Sequence, residues 1–175
     1  GPGMVLRPDV LDRTLEAISD VPGRRICLSP RGRRFDQAFA KELAHEPGVV
    51  LVCGRYEGID QRVIEAREME EVSLGDFVLT GGEIAAQALL DATVRLLPGV
   101  IGSEQGLDEE SFEDGLLEYP QYTHPKIWKG RSVPEVLLSG NHKKIAEWKK
   151  QQSELVTRNY RPDLWEAYEG VKVQI

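Results

Sequence analysis

The sequence predicts an α/β fold, in which a mostly parallel sheet is covered by flanking helices. Segments with helical apolar spacing alternate with short strand-like runs through residues 10–97, which is typical of this fold class. The run Val49–Cys53 is apolar throughout and rich in valine, as in a parallel strand that is buried on both faces. Loops rich in glycine or proline follow the runs. In such sheets, ligands bind at the loops that leave the carboxyl ends of the strands.

In chain order, helices are predicted where apolar residues recur at three- and four-residue spacing. They are Val10–Ile18, Phe35–Ala44, Ile59–Ala66 and Glu83–Leu97. Short apolar runs between the helices predict strands at Arg25–Leu28, Val49–Cys53 and Glu70–Leu74. The composition of Ser29–Gly32 indicates a turn after the first strand.

The remainder of the chain is predicted to be less regular. Residues 102–118 are polar, acidic and aperiodic, which favours a linker or a lid. Residues 118–125 contain two prolines and two tyrosines and are predicted to be extended. A helix is predicted from Lys143 to about Val156, and a short helix opens after Arg161.

Composition limits the class of protein. The 175 residues suffice for one ordinary domain, or one domain with a small appendage. No apolar run approaches the roughly 20 residues of a membrane span, and no secretory signal opens the chain. Cys27 and Cys53 each lie in a strand-like run, so we expect buried, reduced thiols. These features predict a cytoplasmic protein without a membrane partner.

Charge is distributed unevenly along the chain. The net charge is −7, which by itself argues weakly against a nucleic-acid partner. Residues 99–118, however, carry 7 acidic and no basic groups, whereas residues 119–161 carry 9 basic and 3 acidic groups. An acidic segment followed by a basic one is a signal for a polyanionic partner.

The stretch Leu74–Glu83 combines apolar residues with three glycines and two carboxylates. Glycine permits a close approach of the backbone to another molecule. Thr80 and Glu83 have the spacing of a capping box, so the stretch is predicted to be a bent loop that enters a helix N-terminus and binds a small polar ligand. The alternative is a tight connection whose glycines serve only steric needs.

Several common catalytic motifs are missing from the sequence. It contains no phosphate-binding Walker loop, no dinucleotide fingerprint after the first strand and no nucleophile elbow. The three histidines are far apart in sequence, so no metal site is predicted. Cys53 is interpreted as a core residue rather than a nucleophile.

Two basic clusters remain open to two interpretations. Five arginines surround the first strand, and four lysines lie on or beside the helix that begins at Lys143, near Trp148 and Tyr160. The arginine cluster is interpreted first as a solvated surface, with phosphate contacts as the alternative. The lysine cluster suits RNA contacts and a solvated surface equally.

Seven stretches together resemble the bacterial tRNA (guanine-N1)-methyltransferase family. The longer ones are V-C-G-R-Y-E-G-I-D-Q-R-V-I (52–64), S-L-G-D-F-V-L-T-G-G-E (73–83), P-G-V-I-G (98–102), Y-P-Q-Y-T-H-P (119–125) and V-L-L-S-G-N-H (136–142). The shorter ones are G-P-G-M (1–4) and L-S-P-R-G (28–32). They occur in the family's order from Gly1 to about Trp165.

The resemblance implies a knotted SPOUT methyltransferase whose α/β domain ends in a deep trefoil knot. It implies a homodimer with the active site at the subunit interface, S-adenosylmethionine as cofactor, and methyl transfer to N1 of the tRNA guanine 3′ of the anticodon. It also implies three regions: a knotted catalytic domain (1–103), a flexible acidic linker and extended segment (104–133), and a helical tRNA-binding domain (134–175). The family's proteins continue beyond both ends of this chain, so the resemblance implies that both end regions are trimmed.

Site residues follow from the matching motifs. The resemblance implies that the cofactor contacts Leu28, Ser29, Pro30, Gly54, Tyr56, Glu57, Gly58, Leu74, Gly75, Asp76, Phe77, Val78, Leu79, Gly81 and Gly82. It implies that tRNA contacts Ser111, Tyr122, Asn141, His142 and Lys143. Backbone amides and carbonyls in these loops suit recognition of an adenine edge.

For the chemistry, the resemblance implies a general base and a cation. The family's base is an aspartate in a D-S-F motif, which is E-S-F here, so Glu110 takes that place with one more methylene. A carboxylate can accept the proton that guanine N1 loses. Arg95 matches a family arginine that offsets charge developing on guanine O6. The alternatives are a knotted RNA-binding module without catalysis, or a SPOUT enzyme that methylates another base or a ribose.

Overall fold

The structure, a computed structural model, describes residues 3–101 and 110–172. The chain divides into two compact units, Gly1–Gly102 and Ser103–Ile175.

The first unit alternates helices and strands. Its helices are α1 (Pro8–Glu16), α2 (Gln37–Ala44), α3 (Gln61–Ala66) and α4 (Glu83–Val94). Its strands are β1 (Arg24–Arg34), β2 (Val49–Cys53) and β3 (Glu70–Ser73). The three strands form a parallel sheet in the order β2-β1-β3, which confirms the predicted α/β class with a parallel sheet and flanking helices.

Two apolar clusters cover the two faces of the sheet, because alternate residues of a strand point to opposite sides. Cys27 of β1 faces one cluster, which holds Leu11 and Leu15 of α1 and Val63 and Ile64 of α3. The neighbouring Ile26 faces the other cluster, where Phe39 and Leu43 of α2 and Leu89 of α4 pack against it. Helices therefore flank the sheet on both sides, and the carboxyl ends of the strands are left to the loops.

Asp36 and Asp60 start two of these helices by capping them. The Asp36 carboxylate accepts a hydrogen bond from the Phe39 amide of α2 at 2.8 Å. The Asp60 carboxylate accepts one from the Arg62 amide of α3 at 3.0 Å, and the Arg62 guanidinium pairs with it. Both contacts satisfy amides that have no partner within the first helical turn.

The first strand departs from the prediction at its carboxyl end. The predicted turn Ser29–Gly32 was wrong, because β1 continues through it to Arg34. The strand is irregular there: Leu28 and Arg33 both pair with Val72 of β3, so four residues bulge out between two paired flanks. Composition indicated a break in the pairing but not that the strand resumes.

The second strand is less buried than predicted. In Val49–Cys53 only Val52 is buried, and the other four residues are half-buried. The reason is topological: β2 pairs with β1 on one side in the sheet order β2-β1-β3. An apolar run alone does not distinguish such a position from the centre of a sheet.

The second unit is mostly helical. It contains α5 (Glu135–Leu138), α6 (His142–Tyr160) and α7 (Pro162–Lys172), and α6 contacts both of the others. It also contains a two-stranded antiparallel hairpin, β4 (Ile127–Trp128) and β5 (Arg131–Ser132), which the sequence analysis did not predict. The hairpin turn uses positive φ at Lys129 (49°) and Gly130 (75°), as a two-residue turn requires.

Two other predictions concern residues 102–125. The predicted linker, residues 102–118, falls in part on residues 102–109, which lie outside the described residues. Residues 110–116 form turns, and residues 117–125 have no regular secondary structure. Of the helices in the described ranges, none combines the length and apolar character that crossing a membrane requires.

Candidate functional site

A cavity of ≈ 420 Å³ lies at the carboxyl ends of the three strands of the first unit. This volume falls within the range of small-molecule pockets in proteins. Three segments line it: the bulge of β1, the loop that follows β2, and the loop that joins β3 to α4. The cavity therefore occupies the position at which open α/β sheets bind ligands.

The bulge of β1 is held against β3 by a glycine and an ion pair. A Cβ on Gly32 would overlap the backbone of Glu71 and Val72, so only glycine fits this close approach. The Arg31 guanidinium contacts the Glu71 carboxylate at 2.8 Å and the Gln61 side chain at 3.2 Å. These contacts hold the bulge at the rim of the cavity.

The loop after β2 turns by means of two residues with positive φ, Tyr56 (59°) and Gly58 (110°). Residues near the N-terminus run beside it: the Glu57 amide donates to the Met4 carbonyl at 3.0 Å, and the Leu6 amide donates to the Gly58 carbonyl at 2.9 Å. The turn exposes the Tyr56 ring at the cavity. Backbone groups and one aromatic face thus border this side.

The loop between β3 and α4 is joined to the β2 loop by close backbone contact. The Gly82 amide donates to the Gly54 carbonyl at 3.0 Å. A Cβ built on Gly82 would stand only 2.9 Å from the Cα of Cys53, so a side chain at this buried position would force the loops apart. A bridge between Arg55 and Gly81 adds a second backbone link.

The predicted capping box at Thr80 and Glu83 is wrong. Gly82 is the N-cap of α4, and no side chain caps this helix. The Glu83 carboxylate instead accepts a hydrogen bond from the Arg55 guanidinium at 2.8 Å. Glu83 therefore joins the start of α4 to the loop that carries Arg55.

The structure brings together fourteen of the fifteen residues predicted to contact a cofactor. The exception is Asp76, which is exposed and does not line the cavity. The lining also includes three charged residues that were not predicted to contact the cofactor, namely Arg31, Arg55 and Glu71. Both arginines stand inside the motifs quoted above, whereas Glu71 lies in a strand without any motif and carried no signal.

Neither cysteine is activated as a nucleophile. Burial raises the pKa of the Cys27 thiol to about 11, with a further contribution from the Glu71 carboxylate. Burial also raises the pKa of Cys53. A thiol is nucleophilic as the thiolate, so both groups are protonated and unreactive near neutral pH. Cys27 is buried, as expected, whereas Cys53 is half-buried, so the expectation of a buried thiol was wrong for Cys53.

The two residues predicted to take part in the chemistry occupy separate units. Arg95 is half-buried and forms the C-cap of α4, and its amide donates to the Asp91 carbonyl at 3.3 Å. Glu110 belongs to the second unit, where it is half-buried and its carbonyl accepts from the Glu113 amide at 3.4 Å.

The turn that carries Glu110 is closed by a small hydrogen-bond network. The Ser111 hydroxyl accepts from the Glu118 amide at 2.9 Å, and the Phe112 amide donates to the Leu116 carbonyl at 2.7 Å. The Leu117 amide donates to the Thr157 hydroxyl of α6 at 2.8 Å. The same hydroxyl donates to the Ser153 carbonyl at 2.7 Å, so one fully buried threonine joins the turn to α6.

A cavity of ≈ 500 Å³ lies beside this turn in the second unit. Acidic, basic and aromatic side chains line it together, among them Glu110, Tyr119, Lys149, Lys150 and Tyr168. The Lys149 ammonium stands 4.6 Å from the centre of the Tyr119 ring. The Trp148 ring contacts both Tyr119 and Tyr122.

The other residues predicted to contact tRNA are Asn141, His142 and Lys143, at the start of α6, and Tyr122, in the segment before the hairpin. His142 and Lys143 are exposed there, and Tyr122 is exposed beside Trp148. Asn141 has a structural task, since its side chain caps α6 by accepting from the Lys144 amide at 3.1 Å. Within residues 3–101 and 110–172, no three His, Cys, Asp or Glu side chains are grouped so that they could hold a metal ion.

Comparison with known proteins gives consistent results. The family described as tRNA (Guanine-1)-methyltransferase TrmD matches residues 1–167. A protein named tRNA (guanine-N(1)-)-methyltransferase from Ruegeria pomeroyi is 59% identical, over 98% of this chain and 72% of that protein. Proteins of the same name from Rhodospirillum rubrum and Rhodopseudomonas palustris are 55% and 61% identical. The alignment with the Rhodospirillum rubrum protein covers 100% of this chain and 73% of that protein. The alignment with the Rhodopseudomonas palustris protein covers 95% of this chain and 67% of that protein.

Proposed function

Because the chain belongs to the tRNA (guanine-1)-methyltransferase family, we propose that it methylates N1 of a guanine in tRNA, at the position 3′ of the anticodon. The methyl donor in this proposal is S-adenosylmethionine. The observation that carries it is the cavity at the strand ends, which gathers three family motifs that are distant in sequence.

The residues of this cavity fit such a cofactor. Gly54, Gly81 and Gly82 bring the backbone of two loops to the lining of the cavity, and the apolar side chains of Phe77 and Leu79 border it. Small-molecule sites combine an apolar lining with a few polar groups that fix orientation. The adenosine part of the cofactor suits the apolar lining and the backbone groups, and its charged amino-acid part suits the polar rim.

Each side of the cavity has a separate task in this proposal. The cofactor, when bound, supplies an electrophilic methyl group. The bulge Ser29–Arg31, the Gly54–Gly58 loop and the Leu74–Gly82 loop would hold the cofactor, in part through their backbone groups. The Gly82–Gly54 hydrogen bond keeps the last two loops together.

The proton on guanine N1 must leave during the reaction, and Glu110 is the proposed acceptor. A carboxylate that is ionised at neutral pH can take this proton when it lies within hydrogen-bond reach of N1. Arg95 is proposed to offset the negative charge on guanine O6. Both assignments rest on the family motifs, and they require the two residues to meet the same guanine.

The assembly is part of the same proposal. We assign residues 1–103 to a knotted catalytic domain, 104–133 to a linker and 134–175 to a tRNA-binding domain of a cytoplasmic enzyme. A homodimer with the active site at the subunit interface is supported by exposed apolar side chains of the first unit, including Val78 (84% exposed) and Ile84 (61%). Tyr122, Asn141, His142, Lys143 and Ser111 are the proposed tRNA contacts.

The test is methyl transfer from labelled S-adenosylmethionine to a tRNA transcript, followed by mass spectrometry of the methylated nucleoside. We expect 1-methylguanosine as product. The variant Glu110→Gln removes the base and should lower kcat by 10²- to 10⁴-fold, the range for general-base catalysis. Glu110→Asp keeps a carboxylate and should remain active.

The matched control is Glu113→Gln, which removes a carboxylate from the same turn and should leave kcat nearly unchanged. Equal losses in both glutamine variants would remove Glu110 from the mechanism. A product methylated on another base or on ribose would contradict the assignment to N1. Calorimetry with S-adenosylmethionine alone tests the cavity separately from the chemistry.

A further inference from the structure

The hairpin of the second unit, residues 126–132, exposes two large apolar side chains. Trp128 is 56% exposed and Ile127 is 64% exposed, and every residue from 121 to 132 is exposed. The tryptophan ring has one of the largest apolar surfaces of any side chain, and tryptophan is enriched at interfaces. An isolated two-stranded hairpin is also marginally stable in water. These features are typical of a segment that meets a partner.

The pairing of the two strands fixes the face of the hairpin on which the Trp128 side chain lies. Ile127 pairs with Ser132 and Trp128 pairs with Arg131, so Trp128 and Arg131 share one face and Ile127 lies on the other. The two-residue turn at Lys129-Gly130 fixes this register, and the Val133 amide extends the ladder to the Lys126 carbonyl at 2.9 Å. The hairpin thus holds the Trp128 ring on one face.

The charge around the ring favours a polyanion over an apolar protein surface. Residues 119–134 contain three basic residues, Lys126, Lys129 and Arg131, and no acidic residue. The Lys129 ammonium stands 5.0 Å from the centre of the Trp128 ring. Aromatic rings beside cations are the combination that binds single-stranded nucleic acid, where a base stacks on the ring and the cations contact phosphate.

We propose that the hairpin is a stacking finger, in which Trp128 stacks on an unpaired base of the tRNA substrate and Lys129 and Arg131 contact the neighbouring phosphates. This inference rests on the proposed function, since it takes tRNA as the substrate. It assigns a role to residues that lie outside the family motifs identified in the sequence.

The test is steady-state methylation of a tRNA transcript by the full chain, with Trp128→Ala, Trp128→Phe and Ile127→Ala. Loss of one stacked base should raise KM for tRNA about 5- to 100-fold in Trp128→Ala, whereas kcat at saturating tRNA changes little. Trp128→Phe keeps an aromatic face and should restore most of the affinity. Ile127→Ala is the matched control, because it removes a similarly exposed apolar side chain from the opposite face.

Two further measurements separate stacking from other roles. Tryptophan emission of the unchanged protein should be quenched by tRNA, and Trp128→Phe should lose most of that quenching. Lys129→Gln and Arg131→Gln should each lower the salt dependence of tRNA binding by about one counterion, while Trp128→Ala leaves that slope unchanged.

Three results would overturn the finger. One is a KM for tRNA in Trp128→Ala within about twofold of the unchanged protein. Another is an equal loss in Trp128→Ala and Ile127→Ala, which indicates damage to the hairpin or an apolar protein contact. A third is a shift of Trp128→Ala from dimer to monomer, which indicates a second copy of the chain as occupant. Failure of the unchanged protein to bind tRNA would overturn the proposed function as well, whereas an active enzyme that is indifferent to Trp128 would overturn only the finger.

Discussion

Replacement of Thr157 by valine tests how the turn that carries Glu110 is held. Valine has nearly the same shape as threonine but no hydroxyl. The change removes the 2.8 Å hydrogen bond from the Leu117 amide, and that amide is left without this partner at a partly buried position. The change also removes the 2.7 Å hydrogen bond from Thr157 to the Ser153 carbonyl within α6.

The magnitude follows from these two contacts. A typical hydrogen bond contributes about 1 kcal/mol to stability, and a buried donor left unsatisfied costs about 1–3 kcal/mol. The Ser153 carbonyl is a smaller loss, because it is a helix acceptor that keeps a position in the α6 ladder. We therefore expect Thr157→Val to lower the free energy of unfolding of the second unit by about 1–3 kcal/mol.

The matched control is Thr157→Ser, which keeps the hydroxyl and loses one buried methyl group, at a cost of about 0.8 kcal/mol. Urea unfolding followed by tryptophan emission measures both variants, because Trp128, Trp148 and Trp165 all belong to the second unit. If Glu110 is the base, Thr157→Val should also lower kcat, by about 10- to 100-fold, through loss of position of that carboxylate. Equal unfolding midpoints and equal kcat values in the two variants would refute this reasoning.

Three further predictions concern the first unit. Gly82→Ala should lower the affinity for S-adenosylmethionine by more than about tenfold, as measured by calorimetry. The reason is that its Cβ would stand 2.9 Å from the Cα of Cys53 and force the two cavity loops apart. The control is Gly170→Ala, which should leave the affinity unchanged because a Cβ there meets no atom within 4 Å. The Arg62 guanidinium lowers the pKa of Asp60 from its ordinary value of 3.8 to about 2. The ionised carboxylate therefore stabilises the fold, and the unchanged protein should be more stable than Asp60→Asn above pH 3.8. This difference in stability should be lost as the pH falls towards 2. Thermal unfolding of the two proteins across that range measures this difference, and a pH-independent difference would contradict it. Alkylation of Cys27 by iodoacetamide at pH 8 should be far slower than that of a free thiol and should reach the free rate in urea, since burial raises its pKa to about 11; a fast native reaction would contradict the assigned burial.

Local patterns predicted the parts of the fold that depend on local chemistry. The spacing of apolar residues located the helices and strands of the first unit. Buried residues recur every three or four positions in a helix, whereas strands appear as short apolar runs. Glycine-rich loops predicted the cavity, because the loops of Gly54 and Gly82 lie at strand ends that a parallel sheet brings together. The ends of these elements were less well predicted, as at the carboxyl end of β1.

Contacts between distant residues were the part that could not be predicted. Thr80 and Glu83 have the spacing of a capping box, yet Glu83 pairs with Arg55, which comes from another loop. Likewise, nothing in the sequence around Thr157 indicates that it binds the Leu117 amide 40 residues away. Residue spacing predicts contacts only between neighbours in sequence. In the folded chain, each polar group can also bond to residues that are distant in sequence.

The hairpin at Lys129-Gly130 was missed for a different reason. The turn signal was present, since glycine at the second turn position suits its positive φ. Its strands have only two residues each, however, which is too short for an alternating pattern to stand out. The region therefore resembles irregular chain at the level of sequence.

The bulge of β1 bears on how this site can change during evolution. The strand pairs with its neighbours before the bulge, up to Leu28, and again after it, from Arg33. Residues 29 and 30 can therefore exchange side chains without altering the sheet on which the core depends, while Arg31 is held by its ion pair with Glu71 and Gly32 by its contact with β3. In this arrangement, ligand preference can change at two positions while the scaffold stays constant. A library randomised at these two residues should yield mostly folded proteins that differ in what they bind.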